Sequence, residues 1–239
     1  MTRAAAEEEY RLPDAPRVGT SIRTALIDFY FNSWRLVPAN VIWGLGLVLV
    51  VGLVFAWPFG SLLLLVLLGL PTAGIYRLAG NIVRDEPVAF SDALAWRQFA
   101  RPCLVVSAGL VLITAVLSIN IAIGLTSNEP IAWAMGTLAA WGLLATWAVA
   151  LLLWPLMLDP LRAGQPLVRH IKLAATLLLV SPLQVAVLLI ITAVVFAVSA
   201  VLFAALVAIA VAFVALVTAR YVLPAADRLE GRKTKLVES

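Results

Sequence analysis

"LAATLLLVSPLQVAVLLIITAVVFAVSAVLFAALVAIAVAFVALVTA", residues 173–219, runs for 47 positions without one ionisable Asp, Glu, Lys, Arg or His. A helix rises about 1.5 Å per residue, so about 20 apolar residues cross a hydrocarbon core of about 30 Å. The stretch is too long for one crossing and suits two, with the turn expected near Ser199. Lys172 and Arg220 close it, so its two ends return to the same side of a bilayer.

Four further apolar runs precede it. They extend from about Val37 to Trp57, Ser61 to about Ile75, Pro102 to Leu125 and Ile131 to Met157, with breaks at "WPFGS" and "TSNEP". Composition agrees: 63% of residues are hydrophobic and 13% charged, with a mean hydropathy of +1.04. Soluble domains carry about 45–50% apolar and about 25% charged residues. The short alternating segments of a membrane β-barrel are missing from this sequence. The expected fold is an all-α polytopic membrane protein of six transmembrane helices.

All 17 Lys and Arg residues fall outside the runs on one face, while the opposite connections carry a single charge, Glu129. Lys and Arg gather in cytoplasmic loops, so both termini are expected in the cytoplasm, at a plasma membrane. The pI of about 9.6 therefore points to lipid, not nucleic acid, as the partner. Glu7, Glu8 and Glu9 lie where a signal peptide would be basic and then apolar, so the first span reads as the targeting element. Residues 1–20 read as a disordered cytoplasmic tail, 21–222 as the six-helix domain and 223–239 as a second tail. Cys103, the single cysteine, excludes an internal disulfide.

The basic connections carry apolar residues at helical spacing. "SIRTALIDFYFNSW" (21–34), with Ser21 as candidate N-cap, "FSDALAWRQFARP" (90–102), with Ser91, and "PLVRHIKL" (166–173) read as short amphipathic helices at the cytoplasmic interface. Interfacial helix plus hairpin, three times over, is one internal plan. Two inverted halves of three spans is the other.

Inside the spans, small residues recur at four-residue steps: Ala132, Gly136 and Ala140, then Gly142 on another face, and Ala204, Ala208 and Ala212. Such spacing lets helices approach closely, within the chain or across a self-association seam. In "GLPTAGIYRLAGNIVRDEP" (69–87), Thr72 to Arg77 reads as the end of the second span, with Pro71 bending it just before. Pro182, flanked by Ser181 and Gln184, falls well inside the fifth. Paired interruptions in spans two and five would mark a transporter's substrate path, and plain kinks are the simpler reading. Gln184 reads first as a helix-to-helix hydrogen bond. Arg77 reads as an interfacial anchor, His170 as a solvated side chain and Cys103 as a small apolar residue. No phosphate loop, H-E-x-x-H or G-x-S-x-G is present. No catalytic residue, metal site or cofactor is expected.

Three segments together resemble the YesL-like family of bacterial integral membrane proteins. They are "FNSWRLVPANVIW" (31–43), residues 69–87 with the following "FSDALAWRQF", and "LLWPLMLDPLRAGQPLVRHIKLAATLLLVSPLQ" (152–184). The resemblance rests on Asn40 and Trp43, on Pro71, Thr72 and Gly74, and on Trp154 and Pro155. It implies a six-span fold of undefined activity, sometimes encoded beside sugar-uptake and polysaccharide-use genes. The function expected is that of a non-enzymatic accessory or assembly factor linked to carbohydrate or solute uptake, partnering a membrane transporter complex. A small-solute permease using spans two and five is the alternative, and an intramembrane enzyme the third reading.

Overall fold

Proline opens a helix well, because its missing N–H is one the first turn leaves unpaired anyway. Pro58, Pro130 and Pro182 each stand at such a start, and they mark where spans two, four and five begin. A computed structural model of the protein describes residues 10–11, 16–94, 98–232 and 234–235. Expectations about Glu7–Glu9, Trp96, Arg97 and Lys233 lie outside the described residues.

Six helical stretches are long and apolar enough to cross a membrane, as the hydropathy requires. Span 1 is α1 (Val18–Ala56). Span 2 joins α2 (Pro58–Leu67) to α3 (Gly69–Val83). After the short α4 (Phe90–Leu94), spans 3 and 4 are α5 (Ala100–Thr126) and α6 (Pro130–Leu158). Then α7 (Leu167–Val180) leads into α8 (Pro182–Val201), span 5, and span 6 ends in α9 (Val211–Leu229). The turn between spans 5 and 6 falls at Leu202, three residues beyond the expected Ser199.

The bundle is built as an inner and an outer ring. Within the most apolar window of each span, 44, 56 and 67% of residues are buried for spans 2, 4 and 6. For spans 1, 3 and 5 the shares are 22, 11 and 17%. Even spans therefore form the core and odd spans face outward. The core is densest where α3, the last two turns of α6 and α9 meet.

Several boundaries differ from the sequence reading, each for a packing reason. Residues 21–34 are no separate interfacial helix but the start of α1, whose 39 residues extend for about 58 Å. Ser21 does not cap it; its buried hydroxyl donates to the Arg17 carbonyl inside the first turn. At α4 the cap is Asp92, which accepts from the Ala89 N–H at 2.9 Å, and not Ser91. Span 2 does not stop at Thr72–Arg77, because Ala73 to Tyr76 and Leu78 to Ile82 are buried among other helices. Pro182 is not inside span 5 but at its first position, exposed. The C-terminal tail starts later than 223, since Leu223, Ala226 and Asp227 are buried on α9. Beyond the helices, Tyr10–Arg11 pairs antiparallel with Thr234–Lys235.

Close approach explains some of the small residues. A Cβ on Gly124 of α5 would sit 2.8 Å from Gly136 Cα and 2.9 Å from the Ala132 carbonyl of α6. Gly142 meets Leu117 at ordinary distance, and Ala140 is half-buried. A Cβ on Gly74 would fall 2.1 Å from the Ala93 carbonyl, so α4 lies directly on α3. Ala204, Ala208 and Ala212 form no continuous helix face: Ala204 is exposed, and a widened π turn, Leu206–Ala210, separates it from buried Ala212.

Candidate functional site

The ends of the three inner spans converge on a buried ionic cluster. Arg84 follows α3, Asp159 and Arg162 follow α6, and Asp227 lies in the last turns of α9, with Glu230 just past its end. Side-chain exposure is 8% for Arg84, 0% for Asp159 and Arg162, and 1% for Asp227. Arg84 grips Asp159 in a fork, Nε to Oδ1 at 3.0 Å and Nη2 to Oδ2 at 2.6 Å, and also donates to Asp227. Arg162 donates to Asp159, to Asp227 at 2.7 Å and to Glu230 at 2.9 Å. Arg169 and Arg232 reach Glu230 from the rim.

Burial alone would raise the Asp159 pKa, but the hydrogen bond and charge of Arg84, with Arg162 beside it, hold it below the usual carboxylate range. Burial likewise pulls Arg84 down, and its bonds to Asp159 and Asp227 more than reverse this. A carboxylate held as Asp159 is stays charged and is a poor proton donor or acceptor at neutral pH. The cluster is a structural tie. The nearby Arg77 is no free anchor: it donates to the Leu158 carbonyl at the end of α6 and lies over the Phe99 ring.

A second polar device sits deeper. Asn40 of α1 is fully buried, and its Nδ2 donates to the carbonyls of Leu206 at 3.2 Å and Val207 at 2.7 Å. Its Oδ1 accepts from the Ala212 N–H at 2.8 Å. A π turn leaves backbone groups without their usual partners, and one amide side chain supplies them here. Close by, a Cβ on Gly44 would meet Val207 Cα at 2.7 Å, so only glycine fits against that turn. Trp43, one turn from Asn40, donates to the Thr72 hydroxyl at 3.0 Å. Asp28 and Arg220 tie α1 to α9 through a two-pronged bridge at 2.6 and 2.9 Å.

Between the spans lies a cavity of about 480 Å³. Its walls are mostly aliphatic, with Trp43, Tyr76, Trp154 and Phe196 as large faces and Thr72, Ser107, Thr114 and Thr192 as hydroxyls. Tyr76 and Trp154 stack with ring centres 6.0 Å apart. Of the residues singled out from sequence, Trp43, Thr72 and Trp154 line this cavity. Pro71 lines a smaller one beside α4. Asn40 and Gly74 work in helix contacts instead. Ser181 and Gln184 are half-buried and line neither, and Pro182 is exposed. The interruptions thus fall in spans 2 and 6, not 2 and 5.

His170 is also a correction. It is 3% exposed, on the inner face of α7, and not solvated. Neither ring nitrogen has a partner in hydrogen-bond geometry, though the Arg162 backbone lies close. Burial first, then the charge of Arg162, pull its pKa below the ordinary value; the Arg162 backbone opposes this, Arg169 adds to it, and Asp159 opposes it least. The folded protein keeps the ring neutral, while the unfolded chain takes up a proton near pH 6.5. Stability is therefore expected to be flat above that pH and to fall as pH drops below it. Thermal unfolding from pH 7.5 to 5.5 should show a declining midpoint that His170→Phe flattens. A wild-type midpoint that does not move would refute the assignment.

The cluster left a trace in sequence that was open to reading. "RDEP", "LDPLR" and "DRLEG" place both signs of charge directly after spans 2 and 4 and at the end of span 6. No family model, no curated protein and no solved structure matches the chain.

Proposed function

We propose that this chain is a non-enzymatic accessory protein of the bacterial plasma membrane, working beside a solute importer with both termini in the cytoplasm. One observation carries the reading. The strongest polar groups in and around the membrane are engaged in holding the protein together: Asn40 on the π turn, Trp43 on Thr72, Asp28 on Arg220, and the arginines on Asp159 and Asp227. A group bound this way is not poised for proton or nucleophile chemistry. The basic ends of the spans support the orientation, and the resemblance to YesL-like proteins supports the link to carbohydrate uptake. Purification in mild detergent from native membranes tests it. The expected result is recovery with subunits of a solute-uptake complex, together with a growth defect on complex glycans when the gene is deleted. Recovery alone and without a defect overturns it.

The cavity favours one second reading, a permease, because span 2 (Leu68, Thr72) and span 5 (Thr192, Phe196) both line it. Its aliphatic walls suit an apolar solute better than a sugar, which needs many hydrogen-bond partners. Flux in proteoliposomes that falls on Ala150→Trp, which fills part of the cavity, would support a permease. No flux for apolar or sugar solutes rejects it.

A further inference from the structure

We infer that the first two turns of α7, Leu167 to Leu173, are an acid-released flap over the ionic cluster, opened when His170 takes up a proton. The opening is local, precedes unfolding of the whole molecule and is independent of the accessory role. The His170 ring lies 3% exposed on the inner face of these turns, against the Arg162 backbone. Arg162 is itself fully buried, and Arg169 reaches Glu230, so the two turns lie on the cluster. Their outer face, with Val168, Arg169, Ile171 and Lys172, is exposed.

The surroundings are hostile to a charged ring. An imidazolium donates from both nitrogens, and neither has an acceptor in hydrogen-bond geometry. Arg162, at the end of α6, and Arg169, the neighbour on α7, press on it with like charge. Asp159 pulls the other way but is shared by Arg84 and Arg162. Lys172 adds a further cation on α7, at the exposed face. From α9, Asp227 is held by Arg84 and Arg162, and Glu230, just past its end, by Arg162, Arg169 and Arg232. Arg228 of that helix is exposed, the Tyr221 hydroxyl bonds Ser181, and α8 has no ionisable side chain.

The same turns are weakly fastened. Pro166 opens α7 without a side-chain cap, and the first turn contains no acid. Arg169 already stands at the positive end of the helix, and a protonated His170 sets a second cation there. Gly164, with φ +84° and nothing where its Cβ would be, gives the connection from α6 room to turn. The Arg169–Glu230 bridge, with Arg169 55% exposed, is a weak tie. Ala174 and Leu177, both fully buried, anchor the rest of α7. A ring released into water titrates near pH 6.5, and the buried ring below that. Between the two values, each pH unit of acidification favours the open flap by up to about tenfold.

Amide hydrogen exchange of the whole protein in lipid nanodiscs, corrected for the intrinsic pH dependence, tests the flap. The amides of Ile171, Lys172 and Leu173 are expected to exchange faster than those of Leu178 and Ala226 at every pH. Their protection should fall about threefold to tenfold from pH 7.5 to 5.5. His170→Gln, which does not titrate, should remove that fall. Val168→Glu, at an exposed site, places an acid in the first turn and should raise protection about twofold to fivefold at each pH. Protection at Leu173 equal to that at Ala226 at pH 5.5 would mean that the turns open only with the whole molecule, and overturns the flap. So does protection at Ile171–Leu173 that ignores pH, or a fall that persists in His170→Gln.

Discussion

Asp159→Ala is expected to destabilise the protein by about 3–5 kcal/mol, the range for removing one partner of a buried ion pair. The magnitude follows from what stays behind. Two guanidiniums, Arg84 and Arg162, share that carboxylate, and both are nearly or fully withdrawn from water. Without it they crowd around Asp227 with one negative charge fewer, and uncompensated buried charge dominates the cost. Asp159 also caps the turn Pro160–Arg162 by accepting from the Leu161 N–H, which adds a smaller loss. Exposed bridges such as Arg169–Glu230 should be worth about 0–1 kcal/mol at most. Cys103 supplies the assay: it is the single cysteine and is buried, so a thiol-reactive dye reports unfolding on heating. A midpoint for Asp159→Ala equal to that of Arg169→Ala would remove the cluster from any central role. The depressed Asp159 pKa adds a check on sign: its contribution persists above the unfolded value of about 3.9 and is lost only as pH falls below it. That loss lies well apart from the His170 effect near neutrality.

Asn40→Leu should cost about 2–6 kcal/mol through a different route. It strands the Val207 carbonyl and the Ala212 N–H, each worth about 1–3 kcal/mol when buried without a partner. The bilayer offers no water to replace them. The change should also loosen span 6 locally, between Leu206 and Ala212, and leave the ionic cluster untouched. Amide hydrogen exchange would then quicken at Ala212 and its neighbours, with little change near Asp227. Unaltered exchange at Ala212 would show that the π turn does not depend on Asn40.

The span count and the breaks at "WPFGS" and "TSNEP" were legible because hydropathy and proline act locally. The uncharged run at 173–219, the "TSNEP" break and the prolines at 58 and 130 each state a crossing or a start, whereas Pro182, also a start, read as an interruption inside span 5. The ring arrangement was not legible, since spans 1 and 6 share a mean hydropathy of 2.3 yet only span 6 is central. The π turn was hidden for a related reason: "LVAIA" contains no glycine or proline, and its distortion is stabilised by Asn40 from 166 residues away. Charges at span ends read as solvated anchors, because the rule that orients spans treats each Arg alone. Arg84 pairs with Asp159 and Asp227 across 75 and 143 residues, a distance no local pattern spans. The same blindness turned His170 outward and cut the C-terminal helix short.

Spans 2, 4 and 6 are riveted together at one extremity, through Arg84, Asp159, Arg162 and Asp227, and, among the described residues, at no comparable ion pair near the other. Such a tripod has a single fulcrum. Thermal breathing of its legs is expected to grow with distance from that fulcrum, more on the side of "TSNEP" than by the ionic cluster.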